Sequence, residues 1–118
     1  MMHQYRELKV WKLAMAFCQD VYNSISDFPM DEKYGLTSQI KRCAISIPSN
    51  IAEGAGRNSN RDFQRFLNIA AGSSCELSTQ LELSKNLGLL KFDVWTTLEK
   101  DLISIQNMLY RLNESLKE

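Results

Sequence analysis

Hydrophobic residues recur along most of the chain at steps of three and four, the spacing that places them on one face of an α-helix. The first row contains Leu8, Trp11, Met15, Cys18, Tyr22, Ile25 and Phe28, with polar residues between its members. The residue before a proline is pushed out of the helical region, so we expect this helix to end at Pro29. The pattern predicts a long amphipathic first helix whose row faces the core.

A second row contains Leu36, Ile40, Cys43, Ile47 and Ile51. Pro48 lies inside this segment, where the missing amide hydrogen costs a helix about 3 kcal/mol. We therefore expect the second helix to kink or restart at Pro48, with Ser49 or Asn50 bonding the freed carbonyl. Gly54 and Gly56 are interpreted as the C-terminal stop of this helix.

Two further rows predict a third and a fourth helix. The third contains Phe63, Leu67, Ala70, Ser74, Leu77, Leu81 and Ser84, and the fourth contains Val94, Leu98, Leu102, Ile105, Leu109, Leu112 and Leu116. Ser59 and Asp62 have the spacing of a capping box before the third helix, and Gly88 is its expected stop. Asp93 is the expected N-cap of the fourth helix.

The connections between these helices are short, and no run of residues alternates with the period of a β-strand. Short connections between long helices favour antiparallel neighbours. The sequence predicts an all-α protein, an antiparallel up-down-up-down four-helix bundle whose second helix is kinked at Pro48. With 118 residues, 44% of them hydrophobic, the chain suits one domain over residues 1–118.

The residues offer little for catalysis. The single histidine, His3, is expected in a frayed N-terminus, so no catalytic triad can be built around it. Cys18, Cys43 and Cys75 lack metal-ligand spacing, and no phosphate-binding glycine loop is present. We therefore predict no enzymatic activity, no metal and no cofactor.

The cysteines and the N-terminus also indicate a compartment. An odd number of widely spaced cysteines does not suit a disulfide framework, so we interpret them as small core residues. The opening residues Met1 to Glu7 do not have the apolar core of a secretory signal, and the apolar run from Leu13 to Cys18 is too short to span a bilayer. We expect a cytoplasmic protein that does not associate with membranes.

Asn50 and Glu53 are three residues apart and face the same side of the predicted second helix. We interpret the pair as a structural polar network near the kink, because buried polar groups in bundles usually stabilise the packing. A ligand site is the alternative.

The 14 basic and 14 acidic residues cancel, which excludes the overall basic excess of a protein that coats nucleic acid. Antiparallel packing would nevertheless collect unequal charges at the end shared by the N-terminus, the second turn and the C-terminus. This basic end comprises Arg6, Lys9, Lys12, Arg57, Arg61, Arg65, Arg111 and Lys117, together with Glu7, Glu53, Asp62, Glu114 and Glu118. It has an excess of three positive charges, which the rest of the chain balances.

Candidate nucleic-acid contacts are Arg57, Arg61 and Arg65, supported by Lys9 and Lys12. The three arginines lead from the second turn onto the start of the third helix, where amide donors and the helix dipole favour an anion. An ordinary solvated surface with scattered ion pairs is the alternative.

The first helix carries a second apolar row, Val10, Leu13 and Phe17. A single bundle cannot easily bury two rows, so we predict that this row forms an oligomer interface in which Trp95 participates. A wide core-facing stripe is the alternative.

Four segments of the sequence have residue orders specific enough to indicate a family. They are the segment Tyr34 to Arg42, the string Ser46-Ile47-Pro48-Ser49-Asn50-Ile51-Ala52-Glu53-Gly54, the opening Tyr5 to Trp11, and Phe63-x-x-Phe66-Leu67. Through them the chain resembles the four-helix bundle proteins encoded in bacterial 23S rRNA intervening sequences. This family is similar in fold to the accessory protein of diversity-generating retroelements, a basic pentameric barrel that binds nucleic acid and its reverse transcriptase.

The resemblance implies a bacterial cytoplasmic protein without known enzymatic activity, and a homopentamer. Two functional hypotheses follow. The first is an oligomer that binds structured RNA or an RNA-protein complex through the basic end. The second is a structural or protein-adaptor oligomer without nucleic-acid binding.

Overall fold

A computed structural model describes residues 3–118 of the chain. Its α-helices are α1 (Lys9–Ser24), α2 (Leu36–Ala55), α3 (Asn60–Asn86) and α4 (Phe92–Ser115). Short 3-10 turns, Tyr5–Glu7 and Met30–Glu32, precede α1 and α2. No strand occurs within this described range, and the predicted all-α class with four helices is confirmed.

The ends of the helices follow local side-chain bonding. The Ser59 hydroxyl accepts the amide of Asp62 at 3.1 Å and caps α3, as predicted. Gly88 follows α3 with a positive φ of 78°, the left-handed residue expected at a helix stop. By contrast, α1 ends at Ser24 rather than at Pro29, and the Ser26 hydroxyl donates to the carbonyl of Asn23.

The N-cap of the fourth helix lies two residues before the predicted one, Asp93. Phe92 is the first helical residue and Lys91 occupies the N-cap without a side-chain hydrogen bond. Asp93 lies inside the first turn, where its carboxylate accepts the amide of Val94 at 3.0 Å. Its charge still favours the positive end of the helix dipole.

Each helix packs against its sequence neighbours, and α1 also packs against α4, so the four helices surround one core. Hydrogen bonds between α3 and α4 join Asn60 with Leu116, Gln64 with Asn113 and Ser78 with Glu99. Along these pairs the residue numbers increase in α3 while they decrease in α4, as is typical of antiparallel neighbours. The up-down-up-down order of the whole bundle stays a prediction.

The predicted core row of α3 is confirmed in full, because all seven of its members are buried. The α2 row is also largely buried, and α4 contributes Leu98, Leu102, Ile105 and Leu109. Phe66 and Gln80 are buried on α3 in addition. The hydrophobic spacing therefore predicts three of the four core-facing surfaces well.

The predicted core row of the first helix is wrong within α1, although its last two members, Ile25 and Phe28, are buried as predicted. Val10 and Phe17, predicted at an exposed interface, are only 4% and 1% exposed and belong to the core with Ala14 and Val21. Met15, predicted inside, is exposed. Both rows repeat with the helical period, so spacing alone cannot choose between them. The bundle buries the purely apolar row and leaves to its rim the row that contains the polar atoms of Trp11 and Tyr22.

Pro48 is buried within α2, which continues as helix to Ala55, so the helix does not restart there. The Asn50 amide donates to the carbonyl of Ser46 at 2.8 Å. The carbonyl that a proline frees lies four residues before it, at Ala44, so the expected role of Asn50 is wrong. A bend of the helix axis at Pro48 stays a prediction.

Gly54 is a packing residue inside α2 and not the helix stop that the sequence suggested. A Cβ atom at Gly54 would lie 2.8 Å from Cβ of Phe66 and 2.9 Å from Cδ1 of Phe63. The Cβ atom of Phe66 is fixed to the α3 backbone and cannot turn away. Only glycine therefore allows α2 and α3 to approach this closely.

Replacing Gly54 with alanine should lower the free energy of unfolding by about 1–3 kcal/mol, because the two helices must separate to admit the methyl group. Gly72→Ala is the matched control, since Gly72 lies inside α3 with no atom within 4 Å of an added Cβ. This control should gain up to about 1 kcal/mol from helix propensity. Denaturant unfolding measures both, and equal stability of the two variants would contradict the close packing.

Candidate functional site

The segments assigned to the basic end do meet in the structure. The amide of His3 donates to the carbonyl of Ala55 at 2.8 Å, and its ring lies 5.0 Å from that of Phe63. Asn60 donates to the carbonyl of Leu116 at 3.4 Å, which brings the C-terminus alongside. His3 is thus docked on the ends of α2 and α3, and the expectation of a frayed residue is wrong.

All three ion pairs within the described residues lie at the basic end. They join Arg57 to Glu53 at 3.7 Å, Arg65 to Asp62 at 3.2 Å and Lys117 to Glu114 at 2.6 Å. Each pair spans one turn of its own chain segment, so three of the five acidic residues at this end are engaged locally. The basic residues outside these pairs are Arg6, Lys9, Lys12, Arg61 and Arg111.

An open groove of about 540 Å³ begins at the N-terminus of α3. It is lined by Ser59, Arg61, Asp62, Gln64, Arg65 and Asn68. Arg61 is exposed and makes no ion pair, whereas the Asp62 carboxylate accepts the Nε hydrogen of Arg65 rather than serving the amides of the first turn. The predicted capping box is therefore realised only by the serine.

Phe66 links two of the three candidate arginines, a role that the sequence analysis missed. The guanidinium carbon of Arg57 lies 4.8 Å from the centre of its ring, and that of Arg65 lies 4.4 Å away. Arg57 thus makes a cation–π contact from the end of α2 to α3. The available sequence signal was the Phe63-x-x-Phe66 spacing beside three arginines, but spacing does not reveal which ring faces the cations.

Lys9 and Lys12 are exposed on α1. No hydrogen bond, ion pair or ring contact among the described residues joins them to Arg57, Arg61 or Arg65. The basic end therefore contains Arg57 and Arg65 packed on Phe66, here called the arginine cluster, and other cations, including Arg61 and those of α1, that do not stack on that ring.

No hydrogen bond joins Asn50 to Glu53, which lie three residues apart on α2. The Asn50 amide bonds the carbonyl and hydroxyl of Ser46, and that hydroxyl lies 2.8 Å from the hydroxyl of Ser73 on α3. Glu53 instead points to Arg57 at the surface. Asn50 thus belongs to a polar link between α2 and α3, with serines as its partners.

The other two predicted interface residues, Leu13 and Trp95, are half-buried. The Lys85 ammonium lies 3.8 Å from the centre of a Trp95 ring, and Phe92 packs beside it. The indole Nε1 of Trp95 is buried without a hydrogen-bond partner. Trp95 therefore lies where α3 and α4 meet, with its face covered by a cation.

α1 does carry an exposed apolar surface, but on a different side of the helix from the predicted interface row Val10, Leu13 and Phe17. Together with α2 it forms an open groove of about 400 Å³, here called the α1–α2 groove. Its lining is Tyr5, Trp11, Met15, Cys18, Ile45, Pro48, Ser49 and Ala52. Met15 and Ile45 are 38% and 46% exposed.

The three cysteines are free, and they differ in burial. Cys43 is buried, Cys18 is half-buried and Cys75 is exposed, so the core interpretation is wrong for Cys75. Burial raises the pKa of the Cys18 thiol. Burial, followed by the charge of Glu76, raises the pKa of Cys43. Both shifts favour the protonated, less nucleophilic thiol at neutral pH.

Residues 3–118 lack two features that would indicate a specific class of function. No group of three or more histidine, cysteine, aspartate or glutamate side chains is placed to hold a metal ion. No helix in this range combines the length and the apolar character needed to cross a membrane.

Comparison with known proteins identifies relatives of this fold. One solved structure, a protein of unknown function from the S23 ribosomal protein family of Bacteroides thetaiotaomicron VPI-5482, superposes with a TM-score of 0.80 at 25% sequence identity. The match covers 88% of this chain and 97% of that one. No curated protein matches the chain. Residues 6–111 match the family of 23S rRNA-intervening sequence proteins, and the chain belongs to that family.

Proposed function

We propose that this protein is a non-enzymatic, cytoplasmic oligomer that binds structured RNA, alone or in an RNA-protein complex, through its basic end. The observation that carries the proposal is the charge distribution of that end. Local ion pairs engage three of its acidic residues, and five cations remain outside those pairs. A phosphate backbone is the ligand that such a field attracts.

Arg61 is the residue best placed for a phosphate contact. It is exposed, makes no ion pair and lies in the first turn of α3, whose dipole adds partial positive charge. Asn68 lines the same groove and supplies an amide nitrogen, whereas the Gln64 amide already donates to the carbonyl of Asn113. A guanidinium with several free donors binds phosphate in a defined geometry.

A structural or adaptor oligomer without nucleic-acid binding is the second candidate. The α1–α2 groove supports assembly, because Met15 and Ile45 expose apolar surface beside Trp11. We propose that a second copy of this chain covers the groove. The family resemblance suggests that repetition of this contact closes a homopentamer, which would also repeat the basic end around a symmetry axis.

Changing Arg57, Arg61 and Arg65 together to glutamine should weaken RNA binding and reduce the slope of affinity against salt, because fewer counterions are released. A triple change of Arg42, Lys91 and Lys100 to glutamine is the matched control, since it removes three exposed cations outside the basic end. Fluorescence anisotropy with a stem-loop RNA at several salt concentrations measures both. Equal weakening by the two variants, or no binding by the unchanged protein at low salt, would contradict the proposal.

The double variant Met15→Glu, Ile45→Glu should dissociate the oligomer, because assembly would bury two unpaired carboxylates. Ile103→Glu is the control, since Ile103 is similarly exposed but lies on α4. Light scattering coupled to size-exclusion chromatography gives the mass of each. A monomeric unchanged protein would refute the oligomer, and an intact oligomer of the double variant would refute the groove as its interface.

A further inference from the structure

We propose that the basic end selects RNA with unpaired bases over uniform duplex, and that Arg57 and Arg65 stack on those bases while Arg61 contacts phosphate. This inference rests on the proposed function and specifies its ligand. It follows from how the three guanidinium groups are held, which differs between Arg61 and the other two.

Arg57 and Arg65 each lie over Phe66, with guanidinium carbons 4.8 and 4.4 Å from the centre of the ring. Phe66 itself is buried, so the ring is a fixed base for both groups. Their side chains nevertheless remain 40% and 57% exposed. The ring thus packs against both guanidinium groups, and each side chain keeps solvent-exposed surface that a ligand can reach.

The hydrogen-bonding edges of the same two groups are less available. Arg65 donates through Nε to the Asp62 carboxylate at 3.2 Å, and a terminal nitrogen of Arg57 faces the Glu53 carboxylate at 3.7 Å. The Nε atom of Arg57 is buried. Phosphate binds guanidinium through these edges, and the adjacent carboxylates repel it.

A ligand that meets a flat, cationic face suits these two arginines better than a phosphate does. Unpaired RNA bases stack on guanidinium planes as well as on aromatic rings. Bases within a duplex are already stacked on their neighbours and present only phosphates and groove edges. The cluster thus favours loops, bulges or single strands, with Arg61 available for the adjoining phosphate.

Lysine substitution separates stacking from charge, because lysine keeps the positive charge but lacks the planar group. The test compares a short oligoadenylate with a blunt RNA duplex that has the same number of phosphates, by fluorescence anisotropy. We expect the unchanged protein to bind the oligoadenylate more tightly. The double variant Arg57→Lys, Arg65→Lys should lose about tenfold in affinity for the oligoadenylate, with little change for the duplex.

Arg42→Lys is the matched control, because Arg42 is an exposed arginine outside the basic end and makes no ring contact among the described residues. This variant should retain the preference for the oligoadenylate. The stacking assignment is overturned if the unchanged protein prefers the duplex, or if the double lysine variant binds the oligoadenylate as tightly as the unchanged protein does. If the unchanged protein binds neither the oligoadenylate nor the duplex, the proposed function itself is overturned.

Discussion

The close approach of α2 and α3 at Gly54 is the constraint on which both the packing and the candidate site depend. These two helices form the most extensive helix pair of the bundle, and no Cβ atom fits between them at this point. The same contact holds Phe66 against the end of α2, where Arg57 extends across it from the following turn. Gly54, which acts by having no side chain, therefore sets the position of the arginine cluster.

The positions of the charged residues give this neutral chain a positive end, which its net charge of zero does not reveal. The ion pairs at the basic end connect residues one helical turn apart, and exposed pairs of this kind contribute little to stability. Their effect is on the surface field, since they engage carboxylates locally and leave Arg61 and the cations of α1 outside any pair. In a symmetric oligomer each copy would add the same excess of charge.

The sequence predicts most of the fold because α2, α3 and α4 each carry a single apolar row with a unique core-facing direction. It cannot orient α1, where two rows share the helical period and only packing selects Val10 and Phe17 over Met15. The site is predicted less well. The arginines are visible as a cluster of charges, but the use of Gly54 for close packing and of Phe66 as a support depends on atoms brought together from different helices.

Nuclear Overhauser contacts in the full chain provide the most direct measurement of this arrangement. The account predicts strong cross-peaks from the α-protons of Gly54 to the β-protons of Phe66 and the ring of Phe63. It also predicts cross-peaks from the δ-protons of Arg57 and Arg65 to the ring of Phe66. Absence of the Gly54 cross-peaks in a folded, assigned sample would contradict the claim that this close contact organises the bundle and its basic end.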